Sequence, residues 1–79
     1  MEILLLDSHG QRRQNLVNTL EFLEHDLVVP VRVTQWAGAM DGKEVDCAMV
    51  VVTADDELMH DVFRELRAHD ERLPLVLVT

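Results

Sequence analysis

Acidic and hydroxyl side chains come directly after apolar runs of this 79-residue sequence. Asp7 and Ser8 follow the first run, Asp55 comes shortly after a central run, and Thr79 ends the last run. Carboxylate and hydroxyl oxygens suit Mg²⁺, and an aspartate can also accept a phosphoryl group. If the runs are parallel strands, these side chains share the edge where such sheets carry their chemistry. Chemistry at this shared edge is therefore what the residues have to be tested for.

The first apolar run and the segment after it predict a strand followed by a helix. Residues 3–6 are continuously apolar, which is typical of a strand buried on both faces. Over residues 11–24 the apolar spacing becomes helical. The predicted buried stripe of this helix consists of Leu16, Val17, Leu20 and Leu23.

The middle of the sequence predicts an edge strand and a short helix. Residues 27–33 are rich in Val and predict a second strand. Pro30 lies within it and cannot donate a hydrogen bond to a neighbouring strand, so the strand is expected at a sheet edge. Residues 34–41 predict a short helix that ends at the turn signal Asp41-Gly42.

The last part of the sequence predicts two further strands around an amphipathic helix. Residues 46–53 and 73–79 are the strands, and Pro74 is tolerated near the start of the second. The helix between them is expected to be capped by Thr53 or Asp55. Its predicted apolar face consists of Leu58, Met59, Val62, Phe63 and Leu66. Alternating strands and helices predict a parallel sheet covered by helices on both sides, a three-layer α/β/α fold.

Three segments resemble the receiver domain of two-component response regulators: ILLLD, CAMVVV and LPLVLVT. The resemblance implies a flavodoxin/CheY-like sheet with strand order 2-1-3-4. It also places Asp7 and Ser8 on the two acidic cation-binding positions and Thr79 on the switch hydroxyl. Val51 stands five residues after Asp46, on the phosphate-accepting position of that family.

The segments TLEFLEHD and LPLVLVT, with the region around Trp36, are most similar to the receiver-like N-terminal domain of FleQ-type flagellar regulators. Such regulators resemble NtrC-class activators, which work with sigma-54 and carry a central ATPase and a DNA-binding helix-turn-helix. The resemblance assigns ATP and cyclic di-GMP to the central domain. No cofactor is therefore expected in this chain.

The residues on the receiver positions argue against ordinary aspartyl phosphorylation. Val51 has no nucleophile, and Ser8 is a poor replacement for a carboxylate ligand. Asp7 and Asp55 are at most weak candidates for cation binding. Asp55 and Asp56 leave open a displaced phosphate-accepting site, although acids at the start of a helix are also expected as caps. No catalytic residue is predicted.

Charge and composition exclude several classes of partner. The formal net charge is −8, with 7 basic and 15 acidic residues, which argues against binding nucleic acid or an anionic membrane. The single cysteine, Cys47, cannot form an intrachain disulfide, which fits the cytoplasm, and is expected to be a buried apolar side chain. The N-terminus has no signal-peptide pattern, and the four histidines show no metal-ligand spacing.

Trp36, Met40 and Met59 are candidate interface residues. Trp36 and Met40 could instead cover the sheet from a short helix, and Met59 lies at the edge of a helix stripe that is expected to pack mostly on the sheet. The last apolar strand ends the sequence, so a complete domain is expected to add at least one strand and helix. Self-association is expected, through the open edge of this strand or through an apolar helix face, and the ATPase part of the same regulator is the other expected partner. The leading hypothesis is a non-enzymatic regulatory domain. The alternatives are a receiver with a displaced phosphate site and a fragment of a Rossmann-like ligand-binding domain.

Overall fold

Strands alternate with helices throughout the computed structural model, which describes residues 1–78. The four strands are β1 (Glu2–Leu6), β2 (Asp26–Val28), β3 (Cys47–Val51) and β4 (Leu75–Val78). The helices are α1 (Gly10–Phe22), α2 (Trp36–Met40), which continues from a 3-10 turn (Val33–Gln35), and α3 (Glu57–His69). The predicted order of elements is confirmed, and most boundaries lie within two residues of the predicted ones.

All four strands are parallel and lie in the order β2-β1-β3-β4. Ile3 of β1 is aligned with Leu27 of β2 and with Cys47 of β3, so β1 lies inside the sheet. This arrangement confirms the flavodoxin/CheY-like order 2-1-3-4. Within residues 1–78, no helix is both long and apolar enough to cross a lipid bilayer.

The core lies on both faces of the sheet because successive strand side chains point to opposite sides. Along β1, Leu4 and Leu6 join the cluster beneath α2 and α3, whereas Ile3 and Leu5 join the cluster beneath α1. The helix residues buried in the first cluster are Trp36, Met59, Val62 and Leu66. The first cluster is much the larger, so the α3 face of the sheet carries most of the hydrophobic stabilisation.

Helix α1 packs on the sheet through a narrower stripe than its sequence predicts. Leu20 is buried and Leu16 and Val17 are partly buried, but the prediction for Leu23 is wrong because its side chain is exposed. The helix ends at Phe22, one residue before Leu23, and the chain then turns away from the sheet. Glu24 makes this turn with a φ of 67°, and the backbone N–H of His25 donates to the carbonyl of Leu20 at 3.1 Å.

Strand β2 lies at an edge of the sheet, as Pro30 predicts, but it is much shorter than the predicted 27–33. It pairs with β1 only from Asp26 to Val28. Pro30 lies beyond the ladder, where its missing N–H costs no hydrogen bond. The chain after Val28 is therefore free to leave the sheet, and Val31 stands almost fully exposed at 86%.

Helix α3 is strongly amphipathic and contributes Met59, Val62 and Leu66 to the core. Full burial of an aliphatic side chain of this size contributes about 1.5–3 kcal/mol. Phe63 is partly buried, but Leu58 lies outside the predicted buried face, with an exposed fraction of 47%. Leu58 belongs to the first turn of the helix, where it stands at the rim of the sheet.

Strand β4 begins at Leu75, two residues later than predicted, because Pro74 precedes the ladder. Leu73 is nevertheless buried and belongs to the α3 side of the core. Val76 and Leu77 are exposed, consistent with the edge position of this strand in the described sheet. The last predicted strand residue, Thr79, lies outside the described residues.

Candidate functional site

The carboxylate of Asp7 is fully buried where β1 ends and is held by three hydrogen bonds. The backbone N–H of His9 donates to its Oδ1 at 2.9 Å. The Arg12 guanidinium donates twice, from Nε to Oδ2 at 2.7 Å and from Nη2 to Oδ1 at 2.6 Å. Such a two-point contact between a guanidinium and a carboxylate is the strongest kind of side-chain ion pair. Both oxygens of Asp7 are thus occupied by groups of the chain itself.

The start of α1 aims Arg12 at Asp7. Helix α1 begins at Gly10, and the Nδ1 of His9 accepts a hydrogen bond from the backbone N–H of Arg12 at 3.2 Å. This cap fixes the first turn directly after Asp7, so the Arg12 side chain reaches back over the end of β1. The neighbouring Arg13 places its Nη1 at 3.4 Å from the carbonyl oxygen of Asp7, a marginal contact.

The charges of this ion pair stabilise each other. Burial alone acts to raise the pKa of Asp7, but the hydrogen bonds from Arg12 and from the His9 backbone outweigh it and lower the pKa below its ordinary value. The hydrogen bond to Asp7 in turn raises the pKa of Arg12. Asp7 is therefore an ionised carboxylate whose charge is balanced by a resident guanidinium.

Ser8 and Asp56 meet across the rim of the sheet. The Ser8 hydroxyl donates to Oδ2 of Asp56 at 2.6 Å, and the backbone N–H of Met59 donates to Oδ1 at 3.1 Å. The hydrogen bond from Ser8, followed by that from Met59, lowers the pKa of Asp56. Asp56 therefore caps α3 and also ties it to the segment after β1.

The prediction that Thr53 or Asp55 caps α3 is wrong by a short margin. The backbone N–H of Asp56 donates to the Thr53 carbonyl at 3.1 Å, which closes a turn before the helix begins at Glu57. This turn brings Asp56, rather than its neighbours, into the capping position. Asp55 remains exposed in the turn.

Val51 lies beside the Asp7 pocket at the end of β3. Leu6 is aligned with Val50, so Asp7 and Val51 follow one residue later on neighbouring strands. Strand alternation puts both on the α1 side of the sheet. Val51 is 2% exposed. The position nearest Asp7 on β3 is therefore filled by a branched aliphatic side chain with no capacity for covalent chemistry.

The other predicted pocket residues do not complete a cation site among residues 1–78. No group of three or more His, Cys, Asp or Glu side chains in that range is arranged to hold a metal ion. Asp7 is engaged by Arg12, and Asp55 is exposed away from such a group. Thr79, on the expected switch position, lies outside the described residues.

Two of the three candidate interface residues lie in the core of the described domain. Trp36 is buried and its ring meets that of His69 edge-on, with centroids 5.3 Å apart. Met59 is completely buried beneath α3, whereas Met40 is partly buried at the margin of the same cluster. In this state only Met40 of the three offers surface to a partner.

Cys47 is partly rather than fully buried and lies at the margin of the α1 side of the core. Burial, together with the nearby charge of Asp46, raises the pKa of its thiol. The thiol is therefore kept protonated, in keeping with the expected role of a small apolar side chain.

Arg12 and His9 are the site residues that sequence reasoning missed. Residue type alone does not distinguish Arg12 from its neighbour Arg13, or His9 from the other three histidines. The available signal was the spacing of Asp7 and Arg12, five residues apart across the junction of a buried strand and a helix. The Ser8–Asp56 contact joins residues 48 positions apart, and no local sequence pattern predicts it.

The arrangement at the rim can hold charge but offers no reacting group. Asp7 accepts three hydrogen bonds and Asp56 two, and the buried Val51 stands where the resemblance to receiver domains implies a nucleophile. The described side chains therefore build a closed polar network around Asp7 and Asp56 instead of an open cation site.

The amino-acid sequence from residue 2 to residue 79 matches the family model described as "Flagellar regulatory protein FleQ". The comparison with curated proteins found no match. The family match covers nearly the whole chain and confirms the resemblance expected from the sequence, and the sheet order agrees with it. The chain therefore belongs to the family of the flagellar regulatory protein FleQ.

Proposed function

We propose that this chain is the N-terminal regulatory domain of a sigma-54-dependent activator of flagellar genes, and that it works without phosphorylation. Membership in the FleQ family supports the flagellar part of this proposal. The domain catalyses no reaction. It acts through contacts with other protein surfaces, either a second copy or the ATPase part of the same regulator.

The observation that carries the proposal is the ion pair between the buried Asp7 and Arg12. A phosphate-accepting site needs a divalent cation to offset the charge of the incoming group. Here the Arg12 guanidinium already balances the charge of the Asp7 carboxylate, with nitrogen–oxygen distances of 2.6 and 2.7 Å. A cation would have to displace it and leave the Arg12 charge facing the metal. The pocket is thus filled from within.

Val51 and Ser8 support the same conclusion independently. A valine cannot form an acyl phosphate, and the Ser8 hydroxyl is committed to Asp56. Asp7 and Val51 are neighbours on adjacent strands, so a carboxylate introduced at position 51 would lie beside an Asp7 that is still paired with Arg12. The valine at the acceptor position and the Arg12 side chain in the pocket are therefore two separate obstacles to phosphorylation.

Without a phosphoryl switch, regulation requires differential contacts. A domain shifts its neighbour between two states only if it binds one of them more tightly. Several apolar side chains are available at the surface for such contacts, including Phe22, Leu23 and Val31. A stable scaffold with exposed contact residues is what this mode of regulation needs.

The proposal is tested by incubating the protein with Mg²⁺ and acetyl phosphate and measuring its intact mass. A receiver domain with carboxylates at all three pocket positions serves as the positive control. We expect the control to gain one phosphoryl group and this protein to gain none. A gain that disappears in Asp55→Asn or Asp56→Asn would instead establish the alternative, a displaced phosphate-accepting site.

A second measurement tests regulation by contacts. The full regulator with and without this domain is compared for ATPase rate and oligomeric state, in buffer free of phosphoryl donors. We expect both properties to depend on the domain under these conditions. If removal of the domain changed neither of them, the regulatory role would be refuted.

A further inference from the structure

Two adjoining cavities meet at Val31, where the chain leaves the end of β2. The first has a volume of about 570 Å³, and its lining is mainly apolar: Val29, Pro30, Val31, Gln35, Gly38 and Ala39. The second has a volume of about 300 Å³ and also includes Val31. Val31 is 86% exposed and lines both cavities. A β-branched apolar side chain so open to water is free to contact a partner.

The second cavity is basic, in contrast to the acidic chain as a whole. Its lining includes Arg13, Arg32 and the exposed Leu58. Among residues 1–78, the arginines in ion pairs are Arg12 and Arg64, so neither Arg13 nor Arg32 has a carboxylate partner there. With a formal net charge of −8, two uncompensated guanidinium groups beside one apolar cavity form a distinct surface.

We propose that these two cavities, here called the Val31 surface, bind a protein segment that carries a bulky apolar side chain a few residues from one or two carboxylates. The apolar side chain enters the cavity beside Pro30, and the carboxylates pair with Arg13 and Arg32. The inference rests on the proposed function, because a domain that acts through contacts needs such a surface. The two ideas can still fail separately.

Charge complementarity favours this occupant over others. A nucleic acid would meet two arginines on a chain with excess negative charge, which opposes binding. A free phosphate or other small anion would leave the apolar cavity of about 570 Å³ unused. An apolar segment without acids would leave both guanidinium groups unpaired. Only a segment with both chemistries uses the whole Val31 surface.

The Val31 surface also adjoins the closed polar network. Ser8 lines its basic cavity and at the same time donates to Asp56, the cap of α3. A carboxylate bound at Arg13 would therefore lie beside the link between β1 and α3. This places the bound segment at the end of the sheet where the resemblance implies that a receiver would carry its phosphoryl group.

The experiment selects binders from a random-peptide library displayed on phage, with the wild-type protein as bait. The strongest consensus peptide is then synthesised, and its binding is measured by fluorescence anisotropy. Val31→Ser and Arg32→Glu test the apolar and basic parts of the surface. Leu77→Ser and Arg72→Glu are the matched controls, because both residues are exposed and lie outside the two cavities.

We expect the selected peptides to pair an aromatic or large aliphatic residue with Asp or Glu within a few positions. Both Val31→Ser and Arg32→Glu should weaken binding of the synthetic peptide by about tenfold or more, since each removes a principal contact. The two control variants should bind as the wild type does. The same peptide with Lys in place of its acids should not bind.

Three results would overturn the proposal. They are failure of the library to yield a binder, a consensus without acids, and equal binding by Arg32→Glu and Arg72→Glu. Sedimentation provides a further arm: a wild-type dimer that Val31→Ser makes monomeric would show that a second copy covers the surface instead. None of these results would bear on whether the protein is phosphorylated, which the mass measurement decides on its own.

Discussion

Removal of the Arg12 guanidinium should strongly destabilise the domain, because it leaves a fully buried carboxylate without its counterion. In the variant Arg12→Ala, Asp7 keeps only the hydrogen bond from the His9 backbone. Breaking a fully buried ion pair costs about 3–5 kcal/mol. The Arg12 side chain retains 38% exposure, so water screens part of the interaction. We therefore expect the free energy of unfolding to fall by about 2–3 kcal/mol.

For a chain of 79 residues, such a loss corresponds to a drop in Tm of about 10–20 °C. Thermal unfolding followed by circular dichroism, with urea denaturation at a fixed temperature, measures both quantities. The matched control is Arg64→Ala, which removes the other ion pair in the described part of the chain. That pair is exposed on both sides, so its loss should cost less than about 1 kcal/mol.

A double-mutant cycle separates the ion pair from simple loss of packing. Asp7→Asn removes the buried charge, so the pair Asp7→Asn with Arg12→Ala should cost less than the sum of the two single changes. Millimolar Mg²⁺ should also raise the Tm of Arg12→Ala but leave the wild type unchanged, because only the variant exposes a free carboxylate. An Arg12→Ala variant as stable as Arg64→Ala would refute the account of the pocket.

The remaining predictions concern the cap of α3, the acceptor position occupied by Val51, and the dependence of stability on pH. Asp56→Ala should cost about 1–2 kcal/mol in urea denaturation because it removes the cap of α3, whereas Asp55→Ala should stay within about 0.5 kcal/mol of the wild type. Val51→Asp should lower the Tm and still gain no phosphoryl mass from acetyl phosphate, because Arg12 continues to close the pocket. Because the pKa values of Asp7 and Asp56 are lowered in the folded state, the unfolded chain binds more protons near those values. Stability should therefore be complete above the ordinary Asp pKa of about 3.9 and fall as the pH drops through the lowered values, which urea midpoints across acidic pH will show.

The fold could be predicted from the sequence because its signals are local and repeated. Continuous apolar runs mark the buried strands, and the spacing of Met59, Val62 and Leu66 marks one face of α3. Pro30 correctly places β2 at the edge, although it could not show that pairing ends at Val28. The prediction that Leu23 is buried is wrong because the apolar periodicity of α1 continues in the sequence past Phe22, where the helix ends and the chain turns away from the sheet.

The candidate site could be predicted only in part because its contacts are not local. The rim depends on strand ends alone and could be predicted from the apolar runs, whereas the place of Val51 on the acceptor position is implied by the resemblance to receiver domains. The sequence could not show that Arg12 folds back onto Asp7, since that direction is set by the His9 cap. The bond from Ser8 to Asp56 depends on how α3 is placed against β1, a tertiary property.

The most direct test of the filled pocket is the ¹⁵N NMR signal of the Arg12 side-chain Nε–H. This N–H donates to Oδ2 of Asp7, with an Nε–Oδ2 distance of 2.7 Å, so its proton should exchange slowly with water. We predict that its resonance stays in place when millimolar Mg²⁺ and acetyl phosphate are added to the wild-type protein. Loss of this signal, with shifts at the backbone amides of residues 7–9, would show that a cation displaces Arg12 and would contradict the account.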